Sequence, residues 1–201
     1  GSKDIISLNI GKLTAGKANR TVSLTAAQRT TLLQNITAKT LNGTLYLKTY
    51  SSSDYSMQVG NTSSCSCIFA TTAANSAPTF TGFTYSDTRS SVASVVGDAS
   101  KLLQTYSYLK VVCTAGVAKN EASIASYSAS IGGVAKTSTS TTLSIGTLSK
   151  SGNLEITVTC TDSRGWSTSV TQTITVLAYS PPKLTAYRLR RKDEVGKLIQ
   201  L

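Results

Sequence analysis

The sequence contains no histidine and only nine carboxylates among its 201 residues. Without histidine, Ser-His-Asp and Cys-His catalytic arrangements are excluded, and so is the commonest general base of enzymes. The carboxylates are scattered, and no two of them form a convincing acid–base pair of the glycosidase type. No glycine-rich, phosphate-binding loop with its lysine is present. The sequence therefore predicts a protein that is not an enzyme and that uses no cofactor.

Cysteine is scarce, and the four that are present do not suggest a metal site. Cys65 and Cys67 form a C-x-C pair, but zinc usually takes four ligands and no acidic cluster lies nearby. On the alternating pattern they share a face with Phe69, so we expect two buried thiols. Long apolar runs are also missing, because none approaches the roughly 20 residues that a membrane-spanning helix needs. No membrane span is therefore predicted.

The net charge of +11 is unevenly distributed along the chain. Residues 1–76 carry +5, residues 77–178 carry +2 and residues 179–201 carry +4. A true basic cluster occurs only in the last segment, and it consists of Arg188, Arg190, Arg191 and Lys192. No aromatic platform alternates with basic residues, as it would in an RNA-binding motif. We therefore expect a basic, soluble surface and no nucleic-acid site.

Serine and threonine together make up 61 of the 201 residues, and with abundant valine, isoleucine and tyrosine they favour strands over helices. The clearest pattern runs from Asn153 to Val176, where two segments alternate apolar and polar residues. Such alternation is typical of strands with one buried face. Between the segments lies Asp162-Ser163-Arg164-Gly165-Trp166, whose residue types favour a turn. The sequence predicts a β-hairpin here.

Around seven short strands at similar spacing predict a β-sandwich of immunoglobulin type over residues 77–180. Residues 1–76 are expected to form a first sandwich of the same type, with one short helix near residues 26–34 that starts at a capping box of Thr25 and Gln28. The small, polar stretch from Thr71 to Pro78 is the predicted boundary. The predicted fold class is therefore all-β, with tandem immunoglobulin-like β-sandwich domains.

Cys113 and Cys160 both fall on the predicted inward face of their strands, Cys113 with Leu109 and Val111, and Cys160 with Ile156 and Val158. In immunoglobulin-type sandwiches these two strands face each other across the core, so the two side chains could touch. A disulfide between them would stabilise the fold by roughly 2–5 kcal/mol. Two free thiols are the alternative, since free cysteine is commonly buried and a cytoplasm keeps thiols reduced. The sequence leaves a disulfide and a buried thiol pair both open.

Residues 181–201 follow two consecutive prolines and are too few to bury a core. They are nevertheless rich in apolar residues and alternate in part like a strand. We expect them to be the truncated start of a further module or a pairing arm. Such an arm would either dock on the second domain or pair residues 183–201 with another copy in a homo-oligomer.

Several runs carry a resemblance that covers nearly all of residues 20–190. They read LTAAQRTTLLQNI, GTLYLKTY, APTFTGFTYSDT, KVVCTAGVAKNEASIASYSASIGG and SGNLEITVTCTDSRGWSTSVTQTITVLAYSPPKL. These runs resemble minor structural proteins of tailed phages and prophages, whose tail tip or baseplate contains tandem immunoglobulin-like modules. The resemblance implies a virion tail component that is made in the bacterial host cytoplasm and contacts other phage tail proteins. It also implies a role in adhesion to the host cell surface, without naming an active site.

Three functions fit these observations. The leading one is a structural spacer of a phage tail, and the alternatives are a carbohydrate- or cell-wall-binding module and a bacterial surface adhesin. Exposed aromatic side chains would carry binding to a host cell-wall glycan, and the candidates are Tyr46, Tyr50, Tyr55, Tyr106 and Tyr127. Arg164 is a further candidate for surface binding, although turn chemistry favours a structural role for it.

Overall fold

The computed structural model describes residues 4–8, 21–183, 190–192 and 198–200, and strands predominate over helices in them. The prediction of an all-β chain is therefore confirmed. The elements in chain order are α1 (Ala26–Asn35), β1 (Thr40–Leu47), β2 (Ser63–Ala70), α2 (Ala73–Ser76), β3 (Phe83–Asp87), α3 (Ser90–Val96), β4 (Lys101–Leu103), β5 (Leu109–Cys113), β6 (Ile124–Ile131), β7 (Val134–Ser138), β8 (Thr142–Gly146), β9 (Gly152–Asp162), β10 (Ser167–Leu177), β11 (Arg190–Lys192) and β12 (Leu198–Gln200).

Helix α1 begins where the sequence predicted it. The Thr25 hydroxyl accepts a hydrogen bond from the backbone N–H of Gln28, and the Gln28 side chain accepts one from the backbone N–H of Thr25 at 2.9 Å. This capping box satisfies two N–H groups that a helix start would otherwise leave unpaired. No residue of the helix is buried, but Ile36, directly after it, is almost fully buried. The buried side chain of Ile36 therefore attaches the C-terminal end of the helix to the rest of the protein.

Strands β1 and β2 form a two-stranded antiparallel sheet in continuous register from Thr40 opposite Ala70 to Leu47 opposite Ser63. Within residues 21–76 the structure has this one sheet, so the second, facing sheet of the predicted N-terminal sandwich does not occur there. Leu45 and Leu47, which such a sandwich would bury, are exposed. The sequence pattern alone identified strands in this region but not how many sheets they make.

The region from residue 79 to residue 178 contains two sheets. Their strand orders are β4-β10-β9-β6-β7 and β3-β5-β8, and all neighbours are antiparallel except β10 and β4. Side chains from both sheets belong to one hydrophobic core. All six residues predicted to face inward are buried, namely Leu109, Val111, Cys113, Ile156, Val158 and Cys160. Period-two alternation therefore identified the buried faces of β5 and β9 correctly.

Two short helices were not predicted. Helix α2 lies inside the predicted boundary, and its Ser76 is fully buried. Helix α3 contains one alanine, and its other six residues are serine and valine, which are not strong helix formers. Its end is set by Gly97, which adopts a left-handed conformation with φ of 67° and donates its N–H to the carbonyl of Ala93 at 2.9 Å. The helix therefore depends on this cap and on its contacts with β3 and β4.

Strands β11 and β12 pair with each other in an antiparallel ladder. The predicted docking or pairing of residues 183–201 lies mostly outside the described residues and stays a prediction. In the part of the chain that the structure covers, no helix is long and apolar enough to cross a membrane.

Candidate functional site

The turn between β9 and β10 is built as its residue types predicted. The Asp162 carboxylate accepts hydrogen bonds from the backbone N–H groups of Arg164 at 3.0 Å and of Trp166 at 2.8 Å. Gly165 has φ of 84°, which glycine adopts without strain, and it donates its N–H to the Asp162 carbonyl. Asp162 is almost fully buried. The turn is therefore held by hydrogen bonds from the backbone N–H groups of Arg164, Gly165 and Trp166 to Asp162.

Arg164 is the central side chain of this site and is only 6% exposed. Its guanidinium donates hydrogen bonds to the carbonyls of Leu33 at 3.1 Å, of Lys119 at 3.3 Å and of Asn120. Leu33 lies in the last turn of α1, where carbonyls carry partial negative charge, and its carbonyl also accepts a hydrogen bond from the backbone N–H of Ile36 at 3.3 Å. The cation therefore joins the end of α1 to the loop between β5 and β6.

Trp166 and Thr168 extend these contacts to the base of the β1–β2 sheet. The Trp166 indole N–H donates to the Thr71 hydroxyl at 2.8 Å, and the Lys39 ammonium lies 4.7 Å from the centre of the indole ring. The Thr168 hydroxyl donates to the Pro78 carbonyl at 2.6 Å. We call Arg164, Trp166 and Thr168, with these partners, the junction clamp.

The loop that receives Arg164 contains two consecutive residues in the left-handed conformation. Asn120 and Glu121 have φ of 51° and 61°, values that are uncommon for residues other than glycine. The Asn120 side chain donates to the Asn75 carbonyl at 3.1 Å, and the Gln34 amide donates to Glu121 at 3.4 Å. Conformations of this kind persist where surrounding contacts hold them, and here both residues contact the N-terminal part. The loop between β5 and β6 therefore adds two hydrogen bonds of its own to those of the clamp.

Two of the predicted surface-binding residues are corrected by this geometry. The Arg164 guanidinium is turned inward, so it does not present a charge to an outside ligand. Tyr127 is only 4% exposed, and its hydroxyl accepts a hydrogen bond from the backbone N–H of Gly116 at 2.8 Å. Tyr127, Ala129 and Ile131 are spaced two residues apart and share the inward face of β6. This spacing was the sequence signal that could have excluded Tyr127 as a surface-binding residue.

The other predicted tyrosines lie in two separate places. Tyr46 is 59% exposed on β1, and Tyr55 is 51% exposed in the connection between β1 and β2. Tyr50 lies in the same connection and packs edge-on against Tyr55, with 5.5 Å between ring centres. Tyr106 instead contacts Tyr179, after the end of β10. The structure therefore does not bring the five tyrosines together into one aromatic platform.

Cys113 and Cys160 are free thiols in the structure, and both are buried. Burial, with a further contribution from Cys160, raises the pKa of the Cys113 thiol to about 11. Burial also raises the pKa of Cys160, although a hydrogen bond with Tyr127 opposes the change. Gly116 packs so closely against the Cys160 sulfur that a Cβ atom there would collide with it. The pair is therefore part of a tightly packed core.

Cys65 departs from the prediction of a buried thiol. It is exposed and Cys67 is half-buried, because no second sheet packs on β1 and β2 within residues 21–76. Among the residues that the structure places, no three His, Cys, Asp or Glu side chains come close enough to hold a metal ion.

We expect a thiol reagent such as iodoacetamide at pH 8 to modify Cys65 first and to leave Cys113 and Cys160 unmodified in the folded protein. The thiolate is the reactive form, and burial keeps both core cysteines protonated and inaccessible. Peptide mass spectrometry after short labelling measures this order, and labelling in denaturant provides the control in which all four react. Modification of Cys113 at the rate of Cys65 in the folded protein would contradict the packing described above.

Comparison with known proteins places these features in one family. The model of a family described as "Siphovirus protein of unknown function (DUF859)" matches residues 9–200. No curated protein and no solved structure matches the chain.

Proposed function

The chain belongs to the siphovirus protein family DUF859, and from this premise we propose that it is a non-enzymatic structural segment of the phage tail. In this role it is a rigid spacer in the tail tip or baseplate that holds neighbouring modules at a set angle and assists adhesion to the host cell. The junction clamp is the observation that carries the proposal. A spacer transmits orientation only if its modules do not swing, and the clamp opposes that motion.

The strand arrangement supports an immunoglobulin-type sandwich as the body of this spacer. In that fold the second strand lies in one sheet, and the third strand and the last two lie together in the other. Here β5 lies between β3 and β8, while β6, β9 and β10 are neighbours in the five-stranded sheet. Cys113 on β5 and Cys160 on β9 occupy the two strands that carry the inter-sheet disulfide of antibody domains. The buried thiols are in keeping with assembly in a reducing cytoplasm.

The clamp is strong enough to suppress motion between the two parts. Relative motion of domains is the normal expectation unless their interface is extensive. A hydrogen bond from a charged donor contributes about 1.5–3 kcal/mol, and the bond from Arg164 to the Leu33 carbonyl crosses the junction. The neutral bonds from Trp166 to Thr71 and from Asn120 to Asn75 also cross it and add about 0.5–1.5 kcal/mol each. Opening the junction therefore costs on the order of 4 kcal/mol. Each 1.4 kcal/mol lowers a population about tenfold, so fewer than about 1% of molecules would be open.

The tail location is tested on intact phage particles. Antibodies raised against this chain and detected by immunogold electron microscopy should label the tail tip or baseplate of particles whose genome encodes it. Antibodies preadsorbed with the purified chain are the control and should remove the label. Labelling of the head, or particles that lack the protein by mass spectrometry, would refute the proposed role in the tail.

A further inference from the structure

A second set of contacts holds the chain where it leaves the sandwich. Trp166 directly precedes β10 and Tyr179 follows its end, so the two residues lie at opposite ends of an 11-residue strand. At about 3.3 Å per residue, the strand separates them by roughly 35 Å. The contacts around Tyr179 are therefore independent of the junction clamp, and they concern the opposite end of the sandwich.

Gln104 forms hydrogen bonds with the backbone of the outgoing chain at two residues, Leu177 and Tyr179. Its backbone N–H donates to the Leu177 carbonyl at 2.9 Å, and its side-chain oxygen accepts from the Tyr179 N–H at 3.1 Å. The side-chain nitrogen of the same residue donates to the Ser149 carbonyl at 2.7 Å. One half-buried glutamine therefore ties the last residues after β10 to the connection between β8 and β9.

Tyr106 holds the Tyr179 side chain as Gln104 holds its backbone. The two rings meet edge-on, with 4.7 Å between their centres and 79° between their planes, a favourable geometry for an aromatic pair. The Tyr106 carbonyl accepts a hydrogen bond from the Arg89 guanidinium at 2.9 Å, which connects it to the start of α3. Neither the backbone nor the side chain of Tyr179 is therefore free to reorient independently of the sandwich.

Thr105, between these two residues, has an unusual backbone conformation. Its φ of 62° lies in the left-handed region, where a β-branched residue is a genuine outlier. The conformation is held by hydrogen bonds from its N–H to the Leu148 carbonyl at 2.8 Å and from its hydroxyl to the Gln104 carbonyl at 2.7 Å. A strained residue that is kept in place by its surroundings points to a function for the segment that contains it.

We propose that Gln104, Tyr106 and Tyr179 form an outgoing anchor, which sets the direction in which the chain leaves the sandwich toward the next segment. The segment that it positions is the continuation of this chain beyond Lys183. Pro181 and Pro182 extend the effect, because proline fixes φ near −65° and stiffens the linker. The inference rests on the proposed function as a rigid spacer and deepens it, because the direction of the chain is then fixed at both ends of the sandwich.

The test is amide hydrogen exchange and nitrogen-15 relaxation on the full chain. In the unaltered protein we expect a protected Tyr179 amide and backbone order parameters near 0.85 at Tyr179 and Ser180, the value of rigid backbone. Gln104→Ala should make the Tyr179 amide exchange at least tenfold faster and lower both order parameters below about 0.6. The amide of Val176, inside the β10 ladder, should keep its exchange rate.

Three further variants separate the anchor from a general loss of structure. Gln104→Glu retains an oxygen that can accept from the Tyr179 N–H, so it should preserve most of the protection. Tyr106→Leu, which removes an exposed ring, should lower the order at Ser180 without changing Val176. Gln58→Ala removes a glutamine that is remote from the anchor in sequence and whose side chain bonds to Gly60 and Thr62, and it should change neither signal.

The anchor is wrong if the Tyr179 amide of the unaltered protein exchanges like that of an unfolded peptide. It is also wrong if neither Gln104→Ala nor Tyr106→Leu changes the order at Ser180 while Val176 stays protected. These measurements use the purified chain and do not depend on where it resides in the particle. If the anchor is refuted by these measurements, the proposed tail location is unaffected. If the antibodies label the phage head, the proposed tail location is refuted and the anchor is unaffected.

Discussion

Replacing Arg164 with methionine should lower the free energy of unfolding by about 3–5 kcal/mol, because three hydrogen bonds from a charged, nearly buried donor to the carbonyls of Leu33, Lys119 and Asn120 are lost. Methionine keeps a long apolar side chain, so the loss reports the guanidinium more than the packing volume. Chemical denaturation, followed by the fluorescence of Trp166, the single tryptophan and a member of the clamp, measures the change.

Arg29→Met is the matched control for this change. Arg29 is exposed and donates to one carbonyl, that of Leu24, at 2.7 Å, so its loss should cost less than about 1 kcal/mol. Arg164→Lys should be almost as damaging as the methionine variant, because an ammonium cannot reproduce the planar fork of donors. If Arg164→Met and Arg29→Met have equal effects, the guanidinium does not hold the junction together.

Ile156→Ala should lower the free energy of unfolding by about 2–5 kcal/mol, because it removes buried methylene and methyl groups and leaves a cavity. Ile156 is 0% exposed and belongs to the core that the two sheets share. The same denaturation experiment gives the change, provided that the slope against denaturant concentration stays constant.

Ile68→Ala makes the identical chemical change on β2, where the side chain is 70% exposed, and should cost less than about 0.5 kcal/mol. A negligible effect of Ile156→Ala would mean that the face of β9 is assigned backwards. A large effect of Ile68→Ala would mean that the β1–β2 sheet is covered in solution.

Features that depend on neighbours in the chain could be read directly from the residues. The start of α1 follows from Thr25 and Gln28, which bond to each other across three residues. The buried face of β9 follows from strict alternation, because successive side chains of a strand point to opposite sides. The turn from Asp162 to Trp166 follows in the same way from Asp and Gly chemistry. The sequence thus predicted the position of the candidate site but not its role.

The role of the site depends on contacts between residues that are far apart in the chain. Arg164 meets the carbonyl of Leu33 across 131 residues, and Trp166 meets Thr71 across 95. No local pattern distinguishes an arginine that points outward from a turn from one that reaches back to a helix end. The number of sheets between residues 21 and 76, and so the exposure of Cys65, also depended on tertiary packing.

The sequence by itself determined that this protein is all-β, where its strongest strands lie and which of their faces are buried. Each of these properties is set by short-range periodicity and backbone preference, which act within a few residues. Only the tertiary structure decided that Arg164 closes a junction and that Gln104 and Tyr106 hold the outgoing chain. Those contacts arise when β10 brings both of its ends against segments that precede it by 70 residues or more, and no residue type indicates in advance which distant carbonyl or ring it will meet.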